Sequence, residues 1–246
     1  AGRERGAGDE KAASADGLRH VYVPSSDPRA LEYFRGLQES RPELRLAVEG
    51  LPPKVPPGYV RSLDGRHGVL TLALSSGPAP RGVPFVVPGG RFNEMYGWDS
   101  YFILLGLLAD GRLELARALV DNQVYEVRHY GKVLNANRSY YLTRSQPPFL
   151  SSMLRETYAR MPKDDASKRW LREGLSAVVS EYEDVWTSPP RLVEPHGLSR
   201  YYDDGAGPCP EVEPGHYDPV LAPYARARGM TAGALLEGLV AGRIQE

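Results

Sequence analysis

The chain has 246 residues, of which 41% are hydrophobic, and its formal net charge at pH 7 is −1. This length and apolar content suffice for one large domain or two small ones with a buried core. The near-neutral charge gives no electrostatic reason to expect a nucleic acid or an anionic membrane as a partner.

The remaining bulk features exclude several classes of site. The single cysteine rules out an internal disulfide and agrees with a reducing compartment, so we expect a cytoplasmic protein. No apolar run approaches the roughly 20 residues that span a bilayer, and the first residues have no apolar signal core. The five histidines lack ligand spacing, and the chain has neither a Walker loop nor a Gly-x-Ser-x-Gly elbow. We therefore expect no metal site.

The N-terminal third predicts little regular structure apart from one helix. Residues 1–18 are rich in Gly, Ala and charge, which predicts a disordered segment. Asp27 and Pro28 suit an N-cap and a first helical position, and the pattern predicts a helix that runs to about Val48. A proline-rich connection follows. Residues 69–74 show a weak alternation of apolar and polar side chains, which predicts a short strand.

The segment 88–101 reads Pro-Gly-Gly-Arg-Phe-Asn-Glu-Met-Tyr-Gly-Trp-Asp-Ser-Tyr. Its two glycines allow a sharp turn and a close approach of backbone to a ligand. Arg91 stands among Phe92, Tyr96 and Trp98, an arrangement that suits a sugar. Sugars offer apolar ring faces to aromatic side chains and hydroxyl groups to a guanidinium group. The alternative is a glycine-rich turn before a buried helix, with the Trp and Tyr in the core.

Helical periodicity dominates the rest of the chain. Residues 101–108 are apolar nearly all round and predict a helix buried on both sides, ended by Asp110 and Gly111. Further helices are predicted at 112–129, 148–160 and 165–186, with a last pair near 218–228 and 231–242. In the 165–186 helix the expected core positions are Trp170, Leu171, Leu175, Val178, Val179, Tyr182, Val185 and Trp186.

A second polar cluster lies between two predicted helices, in residues 134–148. Its amides, guanidinium groups and hydroxyls can read several sugar hydroxyls at once. The alternative is a polar surface loop that caps the helix beginning at Pro147 and Pro148. The hydrogen-bonding residues of the cluster are Asn135, Asn137, Arg138, Ser139, Tyr140, Arg144, Ser145 and Gln146.

Both segments resemble trehalase motifs. The run Pro-Gly-Gly-Arg-Phe-x-Glu-x-Tyr-x-Trp-Asp-x-Tyr matches the first trehalase signature at every fixed position, and residues 134–148 are similar to the loop that lines the sugar subsite. A third stretch, 200–204 with Pro210 and Glu211, is similar to another sugar-contacting segment, although Cys209 stands where bacterial members have an Arg. In this respect the chain looks more like the fungal neutral trehalases. The substrate-binding residues that the resemblance and the local chemistry imply are Arg91, Phe92, Tyr96, Trp98, Asp99, Asn135, Arg144, Ser145, Gln146 and Glu211.

The resemblance implies a fold and a reaction. Residues 19–246 are expected to form the N-terminal portion of an all-α, (α/α)6 toroid, with about half of its helices. The reaction would be hydrolysis of trehalose to two glucose units with inversion, which requires a carboxylic acid and a carboxylate. The acid motif, Ser-Gly-x-Asp, and the base are both absent, so we expect no catalytic residue within the chain and place both beyond residue 246. The family needs no metal or organic cofactor.

Two other functions remain open on the sequence alone. The chain could be a trehalose-binding pseudoenzyme or an inactive truncated paralogue. A scaffold made only for protein contacts would explain the helices, but it leaves the polar loops without a purpose. The oligomeric state and any control by calcium or phosphorylation stay unassigned.

Overall fold

The computed structural model describes residues 13–56, 58–205, 215–241 and 243–244. Helices predominate, as the periodicity predicts. They are α1 (Pro28–Ser40), α2 (Tyr59–Ser62), α3 (Asp99–Ala109), α4 (Leu113–Tyr130), α5 (Leu150–Arg160), α6 (Asp165–Ser180), α7 (Asp218–Ala227) and α8 (Ala232–Val240).

A small parallel sheet lies beside the helices. Its strands are β1 (Arg19–Val23), β2 (Leu46–Gly50) and β3 (Val69–Leu70), in the order β2-β1-β3. The predicted 69–74 strand is thus confirmed only for its first two residues. A separate antiparallel pair is formed by β4 (Leu192–Val193) and β5 (Leu198–Ser199).

The first helix begins as predicted but ends earlier. Asp27 is its N-cap, and the carboxylate accepts a hydrogen bond from Ala30 N at 2.9 Å. The prediction that it continues to Val48 is wrong: the helix ends at Ser40, because the residue before Pro42 is disfavoured in helical conformation. Residues 46–50 then pair with β1 as strand β2.

The main core lies among α3, α4, α5 and α6, with α4 packed against the other three. Leu104, Leu119 and Met153 are completely buried in it. The expectation that α3 is buried on both sides is wrong, because Phe102 and Leu105 are 53% and 37% exposed. Only one face of α3 packs on the neighbouring helices, so its other apolar face is open.

Helix α6 also differs from its prediction. The expected 165–186 helix is α-helical to Ser180 and then widens into a π-helical turn, Glu181–Trp186. Trp170, Val185 and Trp186 are buried as predicted, but Leu175, Val179 and Tyr182 are exposed. The apolar positions of this helix therefore occupy more than the single face that packs on α4 and α5.

The two ends of the described chain connect to the rest by specific contacts. Helices α7 and α8 pack on each other, and Arg61 of α2 donates a hydrogen bond to Val240 O of α8 at 2.6 Å. Within the 1–18 segment that was expected to be disordered, residues 1–12 lie outside the described residues. Ser14 to Leu18 form a turn closed by a hydrogen bond from Ser14 N to Leu18 O at 2.9 Å.

Candidate functional site

The glycine pair of the first motif forms the sharp turn that the sequence predicts. Gly89 and Gly90 have φ of +96° and +63°, a region that favours glycine. Gly89 and Phe92 exchange two backbone hydrogen bonds of 3.0 Å across the turn. The Arg91 guanidinium lies 5.0 Å from the centre of the Phe92 ring, and Phe92 meets Tyr96 edge to face.

The end of the same motif is joined to the second polar cluster through the backbone. Gly97 N donates to Asn135 O at 3.2 Å, and Asn135 N donates to Arg144 O at 3.0 Å. A Cβ on Gly97 would lie only 2.8 Å from Leu134 O, so this close approach requires glycine. The structure thereby brings the two predicted motifs side by side.

A cavity of about 650 Å³ opens where these segments meet. Five of the residues predicted from the sequence line it: Trp98, Asn135, Arg144, Ser145 and Gln146. The other described residues that line it are Tyr141, Pro147, Tyr201, Tyr202 and Asp203.

Four other predicted residues do not line this cavity. Arg91 and Phe92 are exposed on the glycine turn, and Asp99 is partly exposed as the first residue of α3. Tyr96 packs edge to face on Tyr141, with 6.1 Å between ring centres, and so supports the cavity wall from behind. The remaining prediction, Glu211, lies outside the described residues, as does Cys209.

The middle of the second polar cluster is structural. Asn137 Oδ1 accepts a hydrogen bond from Met95 N at 2.9 Å, and Ser139 Oγ accepts one from Gly68 N at 3.0 Å. Arg138 and Glu94 form an ion pair with 3.5 Å between Nε and Oε1, and both side chains are almost fully buried. Asn137 and Arg138 hold the first motif against the loop, and the members of the cluster that line the cavity lie near its two ends.

The third stretch closes the cavity through its two aspartates. Arg144 Nε lies 3.2 Å from Asp203 Oδ2, and Asp204 N donates to Thr143 O at 3.1 Å. The Asp204 carboxylate also pairs with Lys132 and, at 3.4 Å, with Arg191. Burial lowers the pKa of Lys132, an effect that Asp204 opposes.

The resemblance predicts a sugar-contacting stretch at residues 200–204, but the sequence does not single out Tyr201, Tyr202 or Asp203. Nor does it single out Tyr141. The only available signal for Tyr141 was its position in an aromatic pair just before Arg144, whose guanidinium lies 5.9 Å from the Tyr141 ring centre.

The lining is suited to bind a polyhydroxylated molecule. Trp98 presents an aromatic surface, while Asn135 and Gln146 offer both donors and acceptors. Ser145 Oγ is buried and has no hydrogen-bond partner within the described residues. Among the described lining residues Asp203 is the one carboxylate, and it already pairs with Arg144.

The described ranges contain no group of three His, Cys, Asp or Glu side chains that could hold a metal ion. In the same part of the chain no helix has both the length and the apolar composition needed to cross a membrane.

Comparison with known proteins gives a consistent result. Residues 4–236 match the family model described as Trehalase. The cytosolic neutral trehalase of Emericella nidulans is 45% identical over 245 residues, which are 97% of this chain and 33% of the relative. The cytosolic neutral trehalase of Kluyveromyces lactis is 46% identical over 214 residues, which are 83% of this chain and 28% of the relative. The chain therefore spans about a third of the length of these curated relatives.

A solved structure is similar as well. The neutral trehalase Nth1 from Saccharomyces cerevisiae superimposes with a TM-score of 0.84 at 41% identity, covering 93% of this chain and 43% of that one. This similarity confirms the resemblance inferred from the motifs and the expectation of an incomplete, mostly helical toroid.

Proposed function

This chain belongs to the trehalase family, and from that premise we propose that it supplies substrate-binding loops of an α,α-trehalase. The complete protein would hydrolyse trehalose to two glucose units. The observation that carries this proposal is the cavity in which Trp98, Asn135, Arg144 and Gln146 converge from two separate motifs. We also propose the cytosol as its location, because the matched relatives are named cytosolic neutral trehalases.

The lining supports a role for each of these groups. Trp98 would stack on an apolar face of a glucose ring, and Arg144 would donate charge-assisted hydrogen bonds to its hydroxyls. Asp203 orients Arg144 through the 3.2 Å contact and can accept from a sugar hydroxyl with its remaining lone pairs. Arg91, Phe92 and Asp99, which do not line the cavity, and Glu211 remain proposed substrate contacts of the complete protein.

Catalysis needs groups that the described part of the lining does not provide. An inverting hydrolase requires a proton donor and a base that activates water, about 6.5–9.5 Å apart. Among the described lining residues Asp203 is the one carboxyl group, and it already pairs with Arg144, so these residues do not supply two acid–base groups. We therefore propose that the acid and base of the complete protein lie beyond residue 246, and that this chain binds and orients trehalose.

The test is trehalose hydrolysis by the complete protein that contains this chain, in the wild type and in Asn135→Ala. We expect the wild type to release glucose from trehalose and the variant to lose at least about fivefold in kcat/KM, since each lost neutral hydrogen bond costs about 1 kcal/mol. Gln38→Ala serves as the matched control, because Gln38 accepts its hydrogen bond from Val48 N, away from the cavity. Equal activity in all three proteins would contradict the assigned site.

A trehalose-binding protein without activity is the second candidate. The pairing of Asp203, the lining carboxylate, with Arg144 favours it. Isothermal titration distinguishes the two functions: saturable trehalose binding without glucose release supports the binding protein, and release of glucose supports the hydrolase.

A further inference from the structure

Two buried carboxyl groups lie close to the backbone that leads to Asn135. Glu126 of α4 is completely buried, and Glu181, the first residue of the π-helical turn, is 3% exposed. Neither lines the cavity. Buried acids are costly to desolvate, so each requires a structural or functional reason.

Both carboxyl groups contact the same short piece of backbone. Glu126 Oε2 accepts a hydrogen bond from Leu134 N at 3.2 Å. The backbone of the preceding residue, Val133, is near enough to the Glu181 carboxyl group to lower its pKa against the effect of burial. Leu134 is followed directly by Asn135, which lines the cavity.

This backbone is the point where the parts of the site meet. Asn135 O accepts from Gly97 N and Asn135 N donates to Arg144 O, while Leu134 forms a bridge with Ser145. A displacement of Val133 and Leu134 would therefore move Asn135, Arg144 and Ser145 together. We propose that Glu126 and Glu181 are positioning residues for trehalose binding, which hold Asn135 in place by fixing the backbone one and two residues before it.

This inference rests on the proposed function, and it adds a dependence on protonation. Burial, reinforced by the charge of Glu181, raises the pKa of Glu126 well above its ordinary value. Burial also raises the pKa of Glu181 to about 7, despite opposition from the Trp186 side chain and Val133 N–H.

The charged surroundings are simple. Helix α4 contributes Glu126 and Tyr130, whose pKa burial raises well above the ordinary phenol value. The π-helical turn contributes Glu181, and the loop contributes backbone N–H groups. Within the described residues no Lys, Arg or His side chain contributes to the pKa shift of either glutamate. Ionisation of Glu181 therefore places behind the loop a charge that burial disfavours and that no cationic side chain of the described residues offsets.

The test uses the complete protein and measures kcat and KM for trehalose between pH 5.5 and 8.5. The variants are Glu126→Ala, Glu126→Gln and Glu181→Gln. Glu173→Gln on α6 is the matched control, because its side chain is 66% exposed. We expect KM of the wild type and the control to rise about threefold between pH 6 and pH 8, as Glu181 ionises. In Glu181→Gln, which cannot ionise, KM should not change with pH.

Glu126→Ala should raise KM about fivefold at pH 6 with little change in kcat, since it removes the acceptor for Leu134 N. Glu126→Gln retains an acceptor oxygen and should restore KM to within about twofold of the wild type. If Glu126→Ala does not fold, the positioning role is tested by the pH series of the two glutamine variants.

The failures are distinguishable. A wild-type protein that neither binds nor hydrolyses trehalose overturns both proposals. A wild-type protein that hydrolyses trehalose, with a KM that rises equally with pH in Glu181→Gln, overturns only the role of the two glutamates.

Discussion

Gln146 Oε1 accepts a hydrogen bond from the backbone N–H of Trp98 at 2.8 Å, so a side chain of the second motif fixes the backbone of the first. The two residues are far apart in sequence and both line the cavity. The amide of Gln146 therefore both forms part of the cavity lining and holds Trp98 at its place on the cavity wall.

Removing this link should weaken the site beyond the loss of one ligand contact. In the complete protein, Gln146→Ala leaves Trp98 N without its acceptor and removes an amide from the lining, so we expect kcat/KM for trehalose to fall at least about tenfold. Gln38→Ala, which removes a comparable hydrogen bond to Val48 N on the protein surface, should stay within about twofold of the wild type. Equal kinetics for Gln146→Ala and Gln38→Ala would show that the link is not needed.

Arg144 offers a charge-based test. Arg144→Ala removes charge-assisted hydrogen bonds worth about 1.5–3 kcal/mol, so kcat/KM for trehalose should fall about tenfold or more. Arg155→Ala, at a side chain that is 75% exposed on α5, is the control and should leave it unchanged. A double-mutant cycle with Asp203→Asn should give a coupling of about 1 kcal/mol or less, because both side chains are about one-third exposed. If Arg144→Ala and the control have the same kcat/KM, the charge of Arg144 does not contribute to trehalose binding.

Gly97→Ala tests the close approach of the two motifs. Its new Cβ would lie 2.8 Å from Leu134 O and 3.1 Å from a Val133 methyl carbon, so the backbones must separate. We expect the free energy of unfolding, measured by urea denaturation, to fall by about 1–3 kcal/mol. Gly106→Ala in α3, where no atom comes within 4 Å of the added Cβ, should instead stabilise by about 0.5–1 kcal/mol. Equal effects at the two positions would contradict the packing described for Gly97.

Much of this site could be predicted from the sequence because its motifs are local. The glycine turn, Trp98 and the residues Asn135, Arg144 and Gln146 each stand in a short pattern whose residue types indicate the chemistry. Tyr141 and the individual residues of the third stretch could not be chosen in this way. The third stretch meets the loop through the hydrogen bond from Asp204 N to Thr143 O, which joins segments far apart along the chain.

The errors in the fold have a similar origin. Residues 46–50 form a strand because they pair with β1, and nothing in their own periodicity records that partner. Exposure of Phe102 on α3 and of Tyr182 after α6 likewise depends on which neighbours surround each helix. Apolar residues on every side of a helix predict contacts on every side, but the described neighbours cover only one face.

The buried acid Glu181 predicts how stability changes with pH. Its pKa is raised from 4.5 to about 7, so the folded state binds this proton more tightly than the unfolded state. Its contribution is therefore fully favourable below about pH 4.5, and stability is lost as pH rises toward 7. The loss is on the order of 3 kcal/mol. Urea denaturation should show a smaller difference between pH 5 and pH 8 in Glu181→Gln than in the wild type and Glu173→Gln. The same pH dependence in all three proteins would contradict the assignment to Glu181.

The most direct measurement for the central claim is a crystal structure of the complete protein with a non-hydrolysable trehalose analogue. We expect one glucose ring of the analogue to lie in the cavity, against Trp98 and within hydrogen-bond distance of Asn135, Arg144 and Gln146. An analogue bound elsewhere, with these four side chains free of contact, would contradict it.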